Sequence, residues 1–95
     1  MTEAVLDFIE RRFKNTDAKW TDGNCYWFSK ILTMRFPTLS IYYLPVEGHF
    51  VAGDGKSFYD YNGELVASEY KIIPFGEIYQ NDPLWYERLM KDCVL

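Results

Sequence analysis

Apolar positions three and four residues apart mark two helices near the start of the chain. The first set consists of Val5, Leu6, Ile9 and Phe13. This spacing predicts an amphipathic helix over residues 2–14, with Thr2 as its N-cap. The second set consists of Phe28, Ile31, Leu32 and Phe36. It predicts a second helix that begins at Cys25, takes Asn24 as its N-cap and ends before Pro37.

Residues 38–73 follow a different pattern, in which aromatic and β-branched residues are grouped between turn residues. The run TLSIYYL predicts a strand over residues 38–44, and a turn then leads to a second strand that begins at His49. Asp54-Gly55 predicts a two-residue type I′ hairpin turn. With that turn, His49 would stand directly opposite Asp60 on the next strand. A further strand is predicted over residues 69–73.

The end of the chain predicts a closing helix. Asp82 and Pro83 have the residue types of an N-cap and a first helical position, and this helix is expected to extend to about Lys91. The predicted fold class is α+β: an N-terminal helix and a Cys-bearing helix packed on a small antiparallel β-sheet of about four strands, with a C-terminal helix. We expect residues 1–95 to form a single domain.

Composition and charge narrow the choice of partners. The chain has 95 residues and a net charge of −4, with 48% hydrophobic and 19% aromatic residues. Its Lys and Arg residues are dispersed, which argues against a nucleic-acid partner. No apolar stretch approaches the roughly 20 residues of a membrane span, and no signal peptide is recognisable, so we expect a cytoplasmic protein. A peptide or protein substrate, or a protein partner, fits this composition, and homo-oligomer formation stays open.

Two cysteines and one histidine supply the reactive side chains. Cys25, Cys93 and His49 lack the paired spacing of zinc sites, so we expect neither a metal nor another cofactor. A disulfide is not expected in a reducing compartment, and Cys93 is expected to be inert or exposed near the C-terminus. Cys25 differs, because the first turn of a helix has unpaired N–H groups and a positive dipole end that stabilise a thiolate.

The predicted elements bring three of these groups to one place. A carboxylate opposite an imidazole can accept its N–H and fix its tautomer, which applies to Asp60 and His49. Packing the Cys25 helix on the sheet then brings a thiol toward this pair. If the thiolate attacked a carbonyl, the N–H of Cys25 and a donor from the loop that contains Asp22 and Asn24 would be available for the oxyanion.

This arrangement resembles the papain-like cysteine hydrolase superfamily, in which a Cys at a helix N-terminus meets a His on one strand and a polar residue on the next. The segment TDGNCYWFSKIL is similar to the Asp-Gly-Asn-Cys box of OTU-type deubiquitinating peptidases. The compact order of the His strand, the turn and the Asp strand is more similar to NlpC/P60-type and transglutaminase-like cores. The whole chain also resembles small proteins of phage and Gram-positive bacteria.

The resemblance implies a cysteine hydrolase that cleaves an amide, peptide or isopeptide bond. Cys25 would be the nucleophile, His49 the general base and acid, and Asp60 the residue that orients His49. Papain has a Gln six residues before its Cys, where this chain has Lys19, and NlpC/P60 proteins follow their Cys with small residues rather than Tyr26-Trp27. The motifs therefore indicate the superfamily and not an OTU-type specificity. Acyl transfer to an amine would use the same thioester intermediate.

A structural interpretation of each residue stays open at this stage. A lone Cys in a helix is often a small core residue, and a lone His on a strand is often structural. Asp60 could belong simply to the turn formed by residues 61–63. The alternative function is therefore a catalytically inactive papain-like binding protein, such as a phage-encoded inhibitor or interaction module.

Overall fold

The part of the chain that the structure describes folds into four helices and a five-stranded antiparallel sheet, which confirms the predicted α+β class. The structure is a computed structural model, and it describes residues 2–13 and 25–93. The helices are α1 (Thr2–Arg12), α2 (Cys25–Arg35), α3 (Phe75–Asn81) and α4 (Pro83–Cys93). The strands are β1 (Ser40–Leu44), β2 (His49–Gly53), β3 (Phe58–Asp60), β4 (Gly63–Glu64) and β5 (Ile73–Pro74). A 3₁₀ turn covers Ala67–Glu69.

The strand order is β4-β3-β2-β1-β5, so the long β1–β2 hairpin lies at the centre of the sheet. The strand predicted over residues 69–73 is wrong for most of its length, since only Ile73 and Pro74 pair with β1. The residues before them lie elsewhere because their apolar side chains cover one face of the sheet. Tyr70 and Ile72 pack there against the cluster formed by Leu44, Val51 and Phe58.

Helices cover the opposite face of the sheet in two clusters. The first joins α1, α2 and the sheet, and its buried side chains include Val5, Ile9, Phe28, Leu32 and Tyr59. The second joins the start of α2 to α3 and α4, and it contains Cys25, Tyr43, Phe50, Ile78 and Leu89. Within the described ranges, no helix is both long and apolar enough to cross a membrane.

The β2–β3 hairpin has a different register from the one predicted. Ala52 pairs with Tyr59, whereas the predicted register paired it with Ser57. The turn is therefore centred on Gly55 and Lys56, and of these only Gly55 has a positive φ, at 95°. A type I′ turn needs a positive φ at both central positions, so that prediction is wrong.

The register shift of two residues keeps every side chain on its predicted face, because side chains along a strand alternate with a period of two. Asp60 consequently remains on the same face as His49, although the predicted direct opposition of the two residues is wrong. They are diagonal neighbours, a distance that long side chains can bridge.

The residues at the starts of α4 and α1 have different kinds of hydrogen-bond partner: one partner lies in the same helix, and the other lies on a strand. The carboxylate of Asp82 accepts a hydrogen bond from the N–H of Trp85 at 3.1 Å, which confirms the predicted cap of α4. Thr2 is the first helical residue of α1, and its hydroxyl hydrogen bonds to the Tyr59 hydroxyl at 2.7 Å. Asn24, the predicted cap of α2, lies outside the described residues.

Candidate active site

Cys25 is the first residue of α2, where the sequence places it. The residue is only 6% exposed, and its side chain packs in the cluster that contains Tyr43 and Phe50. Because the first N–H groups of a helix have no partner within the helix, they are available to an anion at this position. Cys25 therefore combines burial with a local environment that favours the thiolate.

His49 is the first residue of β2, at the end of the β2–β3 hairpin that lies away from its turn. Along β2, Phe50 and Ala52 belong to the helix-covered clusters, whereas Val51 belongs to the opposite face. Strict alternation would place His49 with Val51. The imidazole nevertheless lies close enough to the thiol of Cys25 to lower the pKa of that thiol. The candidate site thus lies at the start of β2, where the imidazole of His49 approaches a thiol that belongs to the helix-covered cluster.

Asp60, the last residue of β3, lies on the other side of the imidazole. Its Oδ2 is 3.6 Å from Nε2 of His49, an ion-pair distance rather than a short hydrogen bond. Its Oδ1 accepts the N–H of Asn62 at 2.8 Å, which fixes the orientation of the carboxylate. The side chains of His49 and Asp60 are 17% and 11% exposed, so solvent screens their interaction only weakly. The structure thus brings Cys25, His49 and Asp60 together.

The pKa shifts of the thiol and the imidazole favour the same charged pair. Burial alone raises the pKa of Cys25, but hydrogen bonds from His49 and from the N–H of Phe50, together with the charge of His49, outweigh it, so the pKa lies below its ordinary value of 9.0. The carboxylate of Asp60 is the largest influence on His49 and, with the thiol, raises the pKa of the imidazole to about 9 against the effect of burial. A thiolate beside an imidazolium is the form that these contacts stabilise.

The N–H of Phe50 is a member of the site that sequence reasoning missed. It contributes to lowering the pKa of Cys25 as a hydrogen-bond donor. The β2–β3 ladder pairs only Ala52 and Gly53, so Phe50 lies beyond the last paired residue. The amino-acid sequence does not show which backbone N–H can donate to the thiol of Cys25. Only the observed strand register identifies it.

The other predicted residues are not placed by the structure. Asp22 and Asn24, the expected oxyanion support, lie outside the described residues, as does the side chain of Cys93. Ser29, one turn after Cys25, is fully buried, and its hydroxyl has no hydrogen-bond partner among the described residues. Over the described ranges, no group of three or more His, Cys, Asp or Glu side chains is arranged to hold a metal ion.

Comparison with known proteins identifies a family. Residues 5–90 match the model of a family described as "Phage YunG-like protein". No curated protein and no solved structure matches the chain. The expected similarity to small phage proteins is therefore supported, while the resemblance to the papain-like superfamily stays a prediction.

Proposed function

The chain belongs to the phage YunG-like protein family, and we propose that it is a cysteine hydrolase that cleaves an amide, peptide or isopeptide bond. One observation carries this proposal: His49 contacts both the Cys25 thiol at the start of α2 and the Asp60 carboxylate. A nucleophile, a base and a group that orients the base within contact distance are the parts that thiol hydrolysis requires.

The proposed reaction has two stages. The Cys25 thiolate attacks the carbonyl carbon, and the carbonyl oxygen becomes an oxyanion that N–H donors at the start of α2 stabilise. The His49 imidazolium then gives its proton to the leaving amine as the C–N bond breaks, which leaves a thioester on Cys25. In the second stage, neutral His49 takes a proton from water, the resulting hydroxide attacks the thioester, and the acid departs from the restored thiolate. Asp60 stabilises the imidazolium in both stages.

Alkylation of the full chain with iodoacetamide across pH tests this proposal. We expect Cys25 to react well below pH 8, because its contacts favour the thiolate. The variant His49→Ala should lower the rate at about pH 6 by at least roughly tenfold, since it removes the hydrogen bond and the charge that lower the pKa. Peptide mapping separates Cys25 from Cys93, and Cys93→Ser is the matched control. A thiol with an ordinary pH profile that His49→Ala leaves unchanged would contradict the proposal.

The burial of Cys25 favours one alternative, a papain-like binding protein without catalysis. With 6% of its surface exposed, Cys25 meets a substrate carbonyl only if neighbouring side chains move. Reaction with p-nitrophenyl acetate distinguishes the two functions. A hydrolase should release p-nitrophenol, carry an acetyl group on Cys25 transiently and lose both signals in Cys25→Ala. A binding protein should give neither signal above the rate of that variant.

A further inference from the structure

The corner between β3 and β4 lies directly beside the candidate site. Asp60 ends β3 and pairs with Gly63, the first residue of β4, and we call residues 61–63 the β3–β4 corner. The N–H of Asn62 donates a hydrogen bond to Oδ1 of Asp60 at 2.8 Å. Oδ2 of the same carboxylate lies 3.6 Å from Nε2 of His49. Because the carboxylate cannot rotate without breaking the bond to Asn62, the corner determines where its second oxygen lies relative to the imidazole.

Gly63 gives the corner a backbone conformation that few other residues adopt. Its φ is 116°, where an L side chain is strained. An added Cβ would lie 3.7 Å from Cδ2 of Leu6, which is an ordinary van der Waals distance. Glycine is therefore required for its conformation and not for lack of space. Since Gly63 is paired with Asp60, a change in its φ would tilt the corner relative to β3 and draw the N–H of Asn62 away from the carboxylate.

The ring of Tyr61 joins the corner to α2. It is partly buried against the first core cluster, and it meets the ring of Phe28 edge-on, with centroids 6.5 Å apart and an angle of 74° between the ring planes. Aromatic pairs favour this arrangement. Phe28 lies three residues after Cys25 on the same helix. The corner therefore holds the Asp60 carboxylate through one residue and contacts the helix of the nucleophile through the residue before it.

We propose that Gly63 and Tyr61 are positioning residues of the candidate site that act through Asp60. Gly63 supplies the backbone conformation that directs the Asn62 N–H at the carboxylate, and Tyr61 holds the corner against α2. Without them, the carboxylate would spend part of its time in water, away from the imidazole of His49, and would stabilise the imidazolium less. The relevance of this positioning to catalysis rests on the proposed function.

Matched alanine variants at two glycines with positive φ test the role of Gly63. Gly55, at the turn of the β2–β3 hairpin, has a φ of 95°, and its added Cβ would lie 3.9 Å from the Tyr42 hydroxyl. Gly63→Ala and Gly55→Ala therefore impose the same kind of strain, one beside the candidate site and one far from it. We expect Gly63→Ala to lower the pKa of His49 by about 0.5 unit or more in an NMR titration of the full chain, and Gly55→Ala to leave it unchanged.

The hydrogen bond itself gives a second readout. The amide of Asn62 should exchange with solvent at least about threefold faster in Gly63→Ala than in Gly55→Ala, because the carboxylate no longer accepts it. Gly63→Asn should fall between Gly63→Ala and the wild-type chain, since Asn tolerates a positive φ better than Ala. Equal exchange of this amide in the two alanine variants, an unchanged or higher pKa of His49 in Gly63→Ala, or an equal pKa shift in Gly55→Ala would overturn the role of Gly63.

Tyr61→Leu tests the contact with α2, and it keeps the proposal testable if Gly63→Ala does not fold. Leucine retains an apolar side chain but removes the edge-on contact with Phe28. The control is Tyr42→Leu, since the ring of Tyr42 also meets a phenylalanine edge-on, Phe58 at 4.9 Å, in the cluster on the opposite face of the sheet. We expect Tyr61→Leu to lower the pKa of His49 by about 0.2–0.5 unit and Tyr42→Leu to leave it unchanged. No shift in Tyr61→Leu, or equal shifts in both variants, would overturn the role of Tyr61.

Hydrolysis of p-nitrophenyl acetate keeps the positioning role separate from the catalysis. If the wild-type chain turns over the ester, Gly63→Ala should lower kcat about three- to tenfold and leave KM within about twofold, because the corner acts on the base and not on the bound ester. If the wild-type chain gives no turnover above Cys25→Ala while Gly63→Ala still lowers the pKa of His49, the hydrolase proposal fails and the positioning role stands. If turnover is present but Gly63→Ala changes neither kcat nor the pKa of His49, the positioning role alone fails.

Discussion

The two ends of the β2–β3 hairpin each contain an aspartate, and the two carboxylates have different partners. At the turn, exposed Asp54 accepts the N–H groups of Ser57 and Lys56 at 2.8 and 2.9 Å. At the other end, buried Asp60 accepts one N–H and places its second oxygen 3.6 Å from His49. Both side chains organise nearby backbone. Only Asp60 also acts on a side chain elsewhere in the sequence, that of His49, because burial removes the water that would screen the charge of Asp60.

This contrast shows that the effect of an aspartate on neighbouring side chains depends on whether the surrounding protein shields it from water. The hydrogen bonds from Ser57 and Lys56 lower the pKa of Asp54, so its carboxylate holds the turn. The carboxylate of Asp60 is the largest of the influences that raise the pKa of His49 to about 9. The two ends should therefore respond separately to substitution, and four predictions test this separation.

The largest effect is expected from Gly53→Ala, close to the turn. An added Cβ would overlap the ring of Phe58 and lie 2.8 Å from the backbone oxygen of Ser57, so the hairpin must shift. We expect a loss of about 3 kcal/mol in the free energy of unfolding, measured with urea. Gly76→Ala is the control: no atom lies within 4 Å of its added Cβ, and α3 should gain up to about 1 kcal/mol. If Gly53→Ala left stability unchanged, the close packing at the turn would be wrong.

The second effect is a pH dependence of stability that comes from the buried end. The pKa of His49 is raised from 6.5 to about 9 on folding, so its stabilisation is complete below pH 6.5 and is lost as the pH rises through 9. We expect the free energy of unfolding to fall by about 2 kcal/mol over that interval, because each pKa unit corresponds to about 1.4 kcal/mol and the lowered pKa of Cys25 offsets a part.

The variant His49→Gln should remove most of this slope, whereas Asp54→Asn should leave it in place. Urea titrations at a series of pH values measure both. A stability that rose with pH over this interval in the wild-type chain would contradict the ion pair.

The third prediction separates the two aspartates directly. Asp60→Asn should lower the pKa of His49 by about one unit or more, a larger change than Cys25→Ala gives, because Asp60 is the largest influence on that pKa. His49 is the only histidine in the chain, so its NMR titration is unambiguous. The matched variant Asp54→Asn should leave the pKa of His49 unchanged. If Asp60→Asn and Asp54→Asn shifted the pKa of His49 equally, the proposed difference between the two ends of the hairpin would be contradicted.

The smallest effect is expected from Asp54→Ala on stability. Its two backbone hydrogen bonds resemble those of a helix N-cap, so their loss should cost about 0.5–1 kcal/mol. The alkylation rate of Cys25 should not change, since the turn lies at the far end of the hairpin. A slower alkylation in Asp54→Ala would show that the turn and the candidate site are coupled.

Periodic and capping patterns predicted most of the helices correctly. The turn and capping residues before Cys25 placed the start of α2 at this residue, and Asp82-Pro83 placed the start of α4. Such patterns suffice where one face of a long helix is buried and its end is capped by neighbouring residues. The helix α3 was not predicted. Its sequence FGEIYQN is too short to show a helical period and contains a glycine, and contacts of Phe75 and Ile78 with the rest of the fold stabilise it.

The hairpin shows how Asp60 and His49 could be predicted as neighbours although the predicted register was wrong. Asp54-Gly55 correctly indicated a turn, but the Asp54 carboxylate takes the N–H of Ser57, and the turn centre lies one residue later than predicted. Moving the centre by one residue shifts the register by two and preserves the faces. The contact of Cys25 with Phe50 could not be predicted, because it depends on where the β2–β3 pairing ends.

The order of the three residues along the chain has a consequence for synthesis on the ribosome. Cys25 is made before His49 and Asp60, and the thiol depends on His49 for much of its lowered pKa. Until the hairpin has left the exit tunnel and α2 has packed against it, the nascent chain contains an ordinary cysteine. The contacts that lower the pKa of Cys25 therefore form only after residues from three separate parts of the chain have come together.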